Sequence, residues 1–379
     1  MIKGIYFSQV RPGETAQGAV MKVFDEIEAM KRAGFEMMHV NAEPLSSGLR
    51  RTHLGKGVCA AIPFTCVFSE FTYRPEYDLH DFYYFRFEAA DCRFTSFLKK
   101  LKERNPNAKI IIEFPDYPNT YWLKGFVYLP LLLKDIAARR KYRGCVDRFA
   151  VLDPQYKEIC GVRTLNYMNG IDISRIPTRK PGGYAIKDRI DVIGVSTMFP
   201  NHGYDRFILS MAEYYKSGGK RKIVFHVVGE GPGPELPRYR NMVKEYGLAD
   251  NVIFEGRRVG EDLYSLFDKC DLALECLGAF RKGLDLSSSL KSREYFAVGI
   301  PFVTGCVIDL IPEMDSPYVM KIANDESIPD MEQMLIFADS VYRKESEESV
   351  IANMRRFAEE NCTYDHTLGE VIEYIRSGR

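Results

Sequence analysis

A short stretch around residue 280 carries the residues best suited to chemistry. Arg281, Lys282 and Lys291 are long cations, and Glu294 follows the last of them by three residues. Ser289 stands where it can cap a helix that begins near residue 290. A capped helix N-terminus with added cations is typical of an anion site, so we expect a phosphate group here. A solvated basic loop followed by a surface helix is the alternative that these residues leave open.

The helix behind this expected anion site has clear ends. Gly299 can close it, and Pro301 prevents its continuation into an apolar strand at 301–304. Lys291 and Glu294 are one turn apart, so we expect them on about the same helix face. A carboxylate in that place suits hydrogen bonds to sugar hydroxyls, whereas an ion pair with Lys291 or Arg293 is the structural alternative.

Length and composition are those of a globular protein with two domains. The chain has 379 residues, of which 46% are hydrophobic and 27% charged. Lys plus Arg and Asp plus Glu each number 52, so the net charge is zero and nucleic-acid binding is not indicated. The nine cysteines include no CxxC pair and no signal peptide precedes Met1, so a reduced, cytoplasmic setting is expected.

Strands and helices alternate along the whole chain. Short apolar runs such as 2–7, 82–87 and 109–114 are separated by amphipathic helical segments, and a second alternation begins at residue 190. We therefore predict an α/β protein with two tandem, Rossmann-like, doubly wound domains. Ligands are expected at the carboxyl ends of the strands, in a cleft between the domains. The predicted division is an N-terminal domain at 1–172, a Pro/Gly hinge at 173–187, a C-terminal domain at 188–362, and a C-terminal helix at 363–379 for packing back on the first domain.

Two residues of the N-terminal half stand in turns that should follow strands. Gly13 lies in the turn after the first strand, which lacks the GxGxxG fingerprint of dinucleotide-binding proteins. Asp116 lies in a Pro-Asp-Tyr-Pro turn after the strand at 109–114. Both are candidates for ligand contact, with an ordinary turn glycine and a rigid turn as the alternatives. No Asp-x-Asp triad occurs in the chain, so we expect no metal site.

The order of several short motifs resembles that of a known family. These motifs are NGID at 169–172, HGYDR at 202–206, VGEG at 228–231, FEG at 254–256, and REYFA at 293–297 followed by GIP at 299–301. Their order and spacing are similar to those of the retaining, family-4 type glycosyltransferases of the GT-B fold. The string LGAFRKG at 277–283 resembles a branch found in bacterial capsule and exopolysaccharide gene sets.

The resemblance implies a nucleoside-diphosphate sugar as donor and a growing glycan or lipid-linked saccharide as acceptor, with no cofactor and no metal. Glu294 matches the second glutamate of a family motif and would bind the ribose, whereas Leu286 replaces the first. The usual diphosphate cations fall at Thr197 and His202, so other cations are expected to replace them. The residues expected to be catalytic are Arg281, Lys282 and Asp116. Those expected to bind the donor are Glu294, Lys291, Ser289, Leu290, His202, Gly13, Arg257 and Val259.

Two other functions remain open from the sequence. An epimerase or hydrolase of nucleotide sugars can share this fold, and so can a non-catalytic subunit that binds a sugar nucleotide. The N-terminal half also holds two basic clusters, at 99–104 and at 139–143. They are compatible with a weak contact with the inner face of a membrane and equally with two ordinary solvated helix faces.

Overall fold

The computed structural model describes residues 1–9, 18–42, 71–86, 91–114, 117, 129–182 and 188–377. The chain divides into two compact units. One is Met1–Asn169 together with Tyr364–Arg379, and the other is Gly170–Thr363. Gly13 and Asp116, two of the expected site residues, lie outside the described residues.

The N-terminal unit is built on a seven-stranded sheet. In chain order the strands are β1 (Lys3–Ser8), β2 (Glu36–Asn41), β3 (Phe82–Arg86), β4 (Lys109–Phe114), β5 (Arg148–Val151), β6 (Glu158–Ile159) and β7 (Val162–Asn166). They lie side by side in the order β2-β1-β3-β4-β5-β7-β6. Every neighbouring pair is parallel except β6 with β7. The nearly continuous burial of β1, β3 and β4 fits a parallel sheet with both faces covered.

Helices connect these strands. They are α1 (Gly18–Arg32), α2 (Cys92–Arg104) and α3 (Leu129–Arg139). The Asp91 side chain caps α2 by accepting hydrogen bonds from the backbone N–H groups of Arg93 and Phe94. Phe94, Leu98 and Leu101 then recur at helical spacing and are buried against this sheet.

The C-terminal unit is built on a second parallel sheet. Its strands are β8 (Arg189–Val195), β9 (Lys222–Val228), β10 (Val252–Gly256), β11 (Leu272–Leu274), β13 (Phe302–Thr304) and β15 (Val319–Lys321). They are arranged in the order β10-β9-β8-β11-β13-β15, and every neighbouring pair is parallel. A small separate pair consists of β12 (Leu286–Ser287) and β14 (Val307–Ile308).

Six helices of the C-terminal unit cover the two faces of its sheet. They are α4 (Tyr204–Lys216), α5 (Glu235–Glu245), α6 (Glu261–Phe267), α7 (Leu290–Val298), α8 (Met331–Lys344) and α9 (Glu347–Asn361). One core lies between the sheet and α4, α5 and α8, and another lies between the sheet and α6, α7 and α9. The predicted α/β fold class with two Rossmann-like domains is thus confirmed.

The end of the chain belongs to the N-terminal unit. Helix α10 (Tyr364–Thr367) is followed by α11 (Gly369–Arg376). Leu368 between them and Val371 and Ile372 of α11 are buried in the same core as residues of α1. Of the segment 173–187, for which the sequence predicts a hinge, residues 173–182 are described and belong to the C-terminal unit. Arg179 fastens them there, because its buried guanidinium donates to the Gly299 carbonyl at 2.9 Å and to Glu347 at 2.7 Å.

Candidate active site

The N-terminus of α7 is formed as its sequence predicts. Ser289 is the cap residue, and its hydroxyl accepts a hydrogen bond of 3.1 Å from the Lys291 N–H. Gly299 ends the helix in the left-handed conformation, with a φ of 87°. A β-carbon at Gly299 would lie 2.8 Å from the Ile351 Cα, so both the backbone conformation and the space require glycine.

The turn before α4 packs directly against the segment that follows β11. His202 and Leu277 form a backbone hydrogen bond of 3.0 Å, in which the Leu277 N–H donates. Gly203 has a φ of 66°, and a β-carbon there would lie 2.5 Å from the Gly278 nitrogen. The glycine therefore permits the close approach that places His202 beside the end of β11.

Lys291 reaches from the first turn of α7 into this junction. Its ammonium donates to the Glu275 carbonyl oxygen at 2.9 Å and lies 3.0 Å from His202 Nδ1 and 3.6 Å from the Cys276 sulfur. Burial by itself would lower the pKa of Lys291, but attraction to Cys276, Tyr204 and Glu275 outweighs it, and the pKa is raised. The lysine is therefore charged at neutral pH.

His202 is the neutral partner of this lysine. Burial, followed by the charges of Lys291 and Lys282, holds the pKa of His202 well below its ordinary value. The Nδ1 nitrogen of a neutral imidazole can accept a hydrogen bond from the Lys291 ammonium, so Nδ1 is assigned as the unprotonated ring nitrogen. His202, Lys282 and Lys291, three of the residues expected at the donor diphosphate, are thus brought together.

Glu275 is a carboxylate of this site for which the sequence analysis made no prediction. It follows β11, is fully buried, and accepts hydrogen bonds from the Cys276 N–H at 2.5 Å, Thr304 at 2.9 Å and Ser287 at 3.2 Å. Burial raises its pKa, but Lys291 and these donors outweigh burial, so that the pKa is lowered and the group is ionised. An acidic residue directly after an apolar strand was the available signal.

Arg281 lies in a short turn, Ala279–Lys282, and has two carboxylate partners. Its guanidinium donates to both oxygens of Asp205 at 2.9 Å and to both oxygens of Glu326 at 2.6 and 3.1 Å. It also donates to the Pro200 carbonyl at 3.0 Å. Arg281, which the sequence predicts as a diphosphate ligand, is therefore paired with Asp205 at the start of α4 and with Glu326. The charge of the neighbouring Lys282 instead lowers the pKa of His202.

Glu294 is half-buried and has a tyrosine as its partner. Burial raises the pKa of Glu294 to about 7, and a hydrogen bond from Tyr264 of α6 partly opposes this rise. Lys291 and Glu294 are one helical turn apart, but Lys291 contacts His202 whereas Glu294 contacts Tyr264. The sequence pattern did not identify Tyr264, because its spacing fits an ordinary apolar helix face.

The remaining expected residues that the structure describes are Leu290, Arg257 and Val259. Leu290 packs its side chain against the core beneath α7. Arg257 and Val259 follow β10 in an exposed segment.

Within the described ranges, no group of three or more His, Cys, Asp or Glu side chains is arranged to hold a metal ion. Over the same ranges, no helix is both long and apolar enough to cross a membrane.

Comparison with known proteins adds a family to this geometry. Residues 179–314 match the model of a family described as glycosyl transferases group 1. A sequence search of curated proteins found no match.

Solved structures of similar fold extend over the whole chain. HepE of Anabaena, solved with UDP and glucose, is 12% identical with a TM-score of 0.61, and 100% of each chain is covered. A glycosyltransferase of Rickettsia africae is 10% identical with a TM-score of 0.64, over 100% of this chain and 98% of the other. Sucrose-phosphate synthase of Thermosynechococcus elongatus is 14% identical with a TM-score of 0.60, over 100% of both. Residues 179–314 of the C-terminal unit thus match a glycosyl transferase group 1 model, and the chain has the two-domain fold of solved GT-B glycosyltransferases.

Proposed function

We propose that this protein is a retaining, metal-independent glycosyltransferase that uses a nucleoside-diphosphate sugar as donor. The observation that carries the proposal is the charged Lys291 at the capped N-terminus of α7, within the region that matches the group 1 transferase family. The acceptor is a growing glycan or a lipid-linked saccharide, and the pathway is capsular or exopolysaccharide synthesis. The protein would act in the cytoplasm without a cofactor.

The diphosphate is assigned to the junction of α7 with the turn before α4. Lys291 and Lys282 supply positive charge, and the backbone N–H groups of Ser289 and Leu290 lie at the positive end of the helix dipole. His202 remains neutral and orients the Lys291 ammonium. Arg281 is assigned the task of holding the turn that carries Lys282, since Asp205 and Glu326 already bind its guanidinium.

Glu294 and the segment after β10 are assigned to the nucleoside. Glu294 has a pKa of about 7 without donor, and hydrogen bonds from the ribose hydroxyls would favour its ionised form, which Tyr264 orients. The backbone of 257–259, which includes Arg257 and Val259, would contact the base. Gly13 and Asp116 keep their proposed roles at the donor and the reacting sugar, and both lie outside the described residues.

In the reaction, the bond between the anomeric carbon and the β-phosphate oxygen breaks, and negative charge develops on the leaving diphosphate. Lys291, Lys282 and the dipole of α7 stabilise that charge more strongly in the transition state than in the ground state. The acceptor hydroxyl attacks from the face that the diphosphate leaves, so a new carbon–oxygen bond forms with retention. The hydroxyl proton passes to a β-phosphate oxygen.

A two-step experiment tests this function. UDP, GDP and their sugars are first screened for thermal stabilisation, beginning with UDP because HepE was solved with UDP. The stabilising sugar nucleotide is then supplied in labelled form, with and without glycan or lipid-linked acceptors. Label transferred to an acceptor in the presence of EDTA is the expected result. Label released or converted equally well without an acceptor would indicate a hydrolase or epimerase, and binding without turnover would indicate a non-catalytic subunit.

A further inference from the structure

Helix α3 of the N-terminal unit exposes a row of large apolar side chains. Leu129, Leu133 and Ile136 are 45%, 58% and 43% exposed. Their spacing of four and three residues places them on one face of the helix. Single exposed apolar residues are common, but three in a row on one helix face indicate a contact surface.

The opposite side of α3 is fastened to its own unit. Asp135 and Ala138 are buried, and Arg139 pairs with Asp135 at 2.7 Å. The Arg139 guanidinium also lies 5.1 Å from the centre of the Phe114 ring in β4. These contacts fix the rotation of the helix, so the apolar row faces outward rather than into the core.

Three cations follow the apolar row. Arg140, Lys141 and Arg143 are all exposed, and within the described part of the chain none of them forms an ion pair. An exposed apolar helix face next to unpaired cations is the arrangement that binds the surface of an anionic bilayer. The apolar side chains enter the boundary of the acyl chains, and the cations meet the phosphate groups of the lipids.

In the other basic cluster of this unit, on α2, the cations already have partners. On α2, Lys99 lies 3.5 Å from Glu103, Lys102 lies 2.8 Å from Asp147, and Arg104 lies 3.1 Å from Asp78. The Lys100 ammonium lies 4.3 Å from the centre of the Tyr73 ring. Because its cations already have partners, we interpret this cluster as a solvated helix face.

We propose that α3 and residues 140–143 form a surface that docks on an anionic lipid membrane. Charge favours a membrane over a second copy of this chain, because a symmetric dimer through this face would bring like cations together. Each cation near an anionic surface contributes about 1 kcal/mol, so three cations and three partly inserted apolar side chains give reversible binding. Docking would present a lipid-linked acceptor to the enzyme, and that part of the inference rests on the proposed function.

The test is co-sedimentation of the full chain with phosphatidylcholine vesicles that contain rising fractions of phosphatidylglycerol. The bound fraction should rise with anionic lipid at low salt and fall at about 1 M salt, where the screening length is about 3 Å. Leu133→Gln with Ile136→Gln, and separately Arg140→Gln with Lys141→Gln and Arg143→Gln, should each reduce the affinity for vesicles about 10-fold or more. These side chains are exposed, so the variants should unfold at the temperature of the wild type.

The chain offers matched controls for both kinds of substitution. Lys99→Gln with Lys100→Gln changes the paired cluster, and Leu79→Gln changes a single apolar residue of the same unit that is 76% exposed. Neither should alter vesicle binding. Absence of wild-type binding at low salt, equal losses in the controls, or a change of oligomeric state without lipid binding would each overturn the docking surface. Nucleotide-induced thermal shifts on the same variants keep this result separate from the proposed function, since they should be unchanged.

Discussion

Each unit of this protein buries a glutamate near the carboxyl end of a parallel strand, but the two glutamates have different surroundings. Glu113 lies in β4 of the N-terminal unit, and Glu275 follows β11 of the C-terminal unit. Both are fully buried, and neighbouring groups hold the pKa of both below the ordinary value in spite of burial. The two differ in whether a neighbouring cation contacts the carboxylate directly.

Glu113 is paired directly with cations. Lys22 and Arg86 each donate to it at 2.8 Å, and Tyr167 donates at 2.7 Å. Lys22 is itself buried and lies 3.4 Å from a second carboxylate, Glu26. Both cations of this cluster directly contact a carboxylate inside the protein, so we assign the cluster to the stability of the fold.

Glu275, by contrast, accepts hydrogen bonds from neutral donors, and the nearby Lys291 ammonium contacts neutral acceptors. Lys291 bonds to the Glu275 carbonyl and to His202, and none of the ion pairs within 4.0 Å in the described part of the chain includes it. Its charge is fixed in place but not neutralised by a direct carboxylate contact. The difference teaches that burial of charge is not by itself a mark of function. A cation held by neutral groups at a helix N-terminus is ready for an anionic ligand.

The largest effect on stability is expected from breaking the Glu113 cluster. Glu113→Gln removes the carboxylate that Arg86 contacts and leaves Lys22 with the more distant Glu26, so the free energy of unfolding should fall by about 3–5 kcal/mol. Denaturant unfolding measures this loss. Glu103→Gln is the matched control, since that exposed carboxylate pairs only with Lys99 in the described chain and should change stability by less than about 0.5 kcal/mol. A loss below about 1 kcal/mol for Glu113→Gln would contradict the structural role.

Next in size is the loss of the Lys291 cation. Lys291→Met should lower kcat/KM for the donor about 100-fold, which is about 2.7 kcal/mol of transition-state stabilisation. Steady-state kinetics with the donor identified by the thermal screen measures it. Lys344→Met at the exposed end of α8 is the control and should retain wild-type kinetics. Unchanged kcat/KM in Lys291→Met would remove the basis of the comparison.

A smaller effect should separate Lys282 from Arg281. Lys282→Ala should lower kcat/KM about 10-fold, because it removes positive charge near the diphosphate, and it should change the unfolding temperature less than Arg281→Ala does. Arg281→Ala should lower both quantities, since the buried Asp205 loses a partner that contacts both of its oxygens. Adding Asp205→Asn to Arg281→Ala should recover part of the stability, and a double-mutant cycle measures that coupling. If Arg281→Ala changes the rate but not the stability, the arginine contacts the diphosphate itself.

The smallest expected effect is a pH dependence that originates at Glu294. Burial raises the pKa of this carboxyl from 4.5 to about 7, so its contribution to stability is complete below pH 4.5 and is lost as the pH rises through 7. Relative to Glu294→Gln, the donor-free wild type should lose about 1 kcal/mol of unfolding free energy between about pH 5 and about pH 8, once solvent screening is allowed for. Urea unfolding at several pH values measures the difference. Parallel curves for the two proteins would show that Glu294 does not titrate in this range.

Features set by neighbours in sequence were predictable. The alternation of apolar runs gave the α/β class with two Rossmann-like domains, because strand and helix periods are local properties of the chain. Helix α7 begins after Ser289 and ends at Gly299 as predicted, since a helix cap depends on residues within one or two turns. Roles at the donor site remain predictions, and their measurements are those above.

The sequence by itself determined which segments become strands and helices, where α7 begins and ends, and that cations gather before it. Only the tertiary structure decided the partners of those cations. His202 lies 89 residues before Lys291, and Asp205 lies 76 residues before Arg281. They meet because β8 and β11 are neighbours in the sheet, which brings the segments after both strands to the same edge. Periodicity and capping act over a few residues, whereas sheet order follows from packing of the whole unit, so a sequence pattern can supply a charge but not the group that holds it.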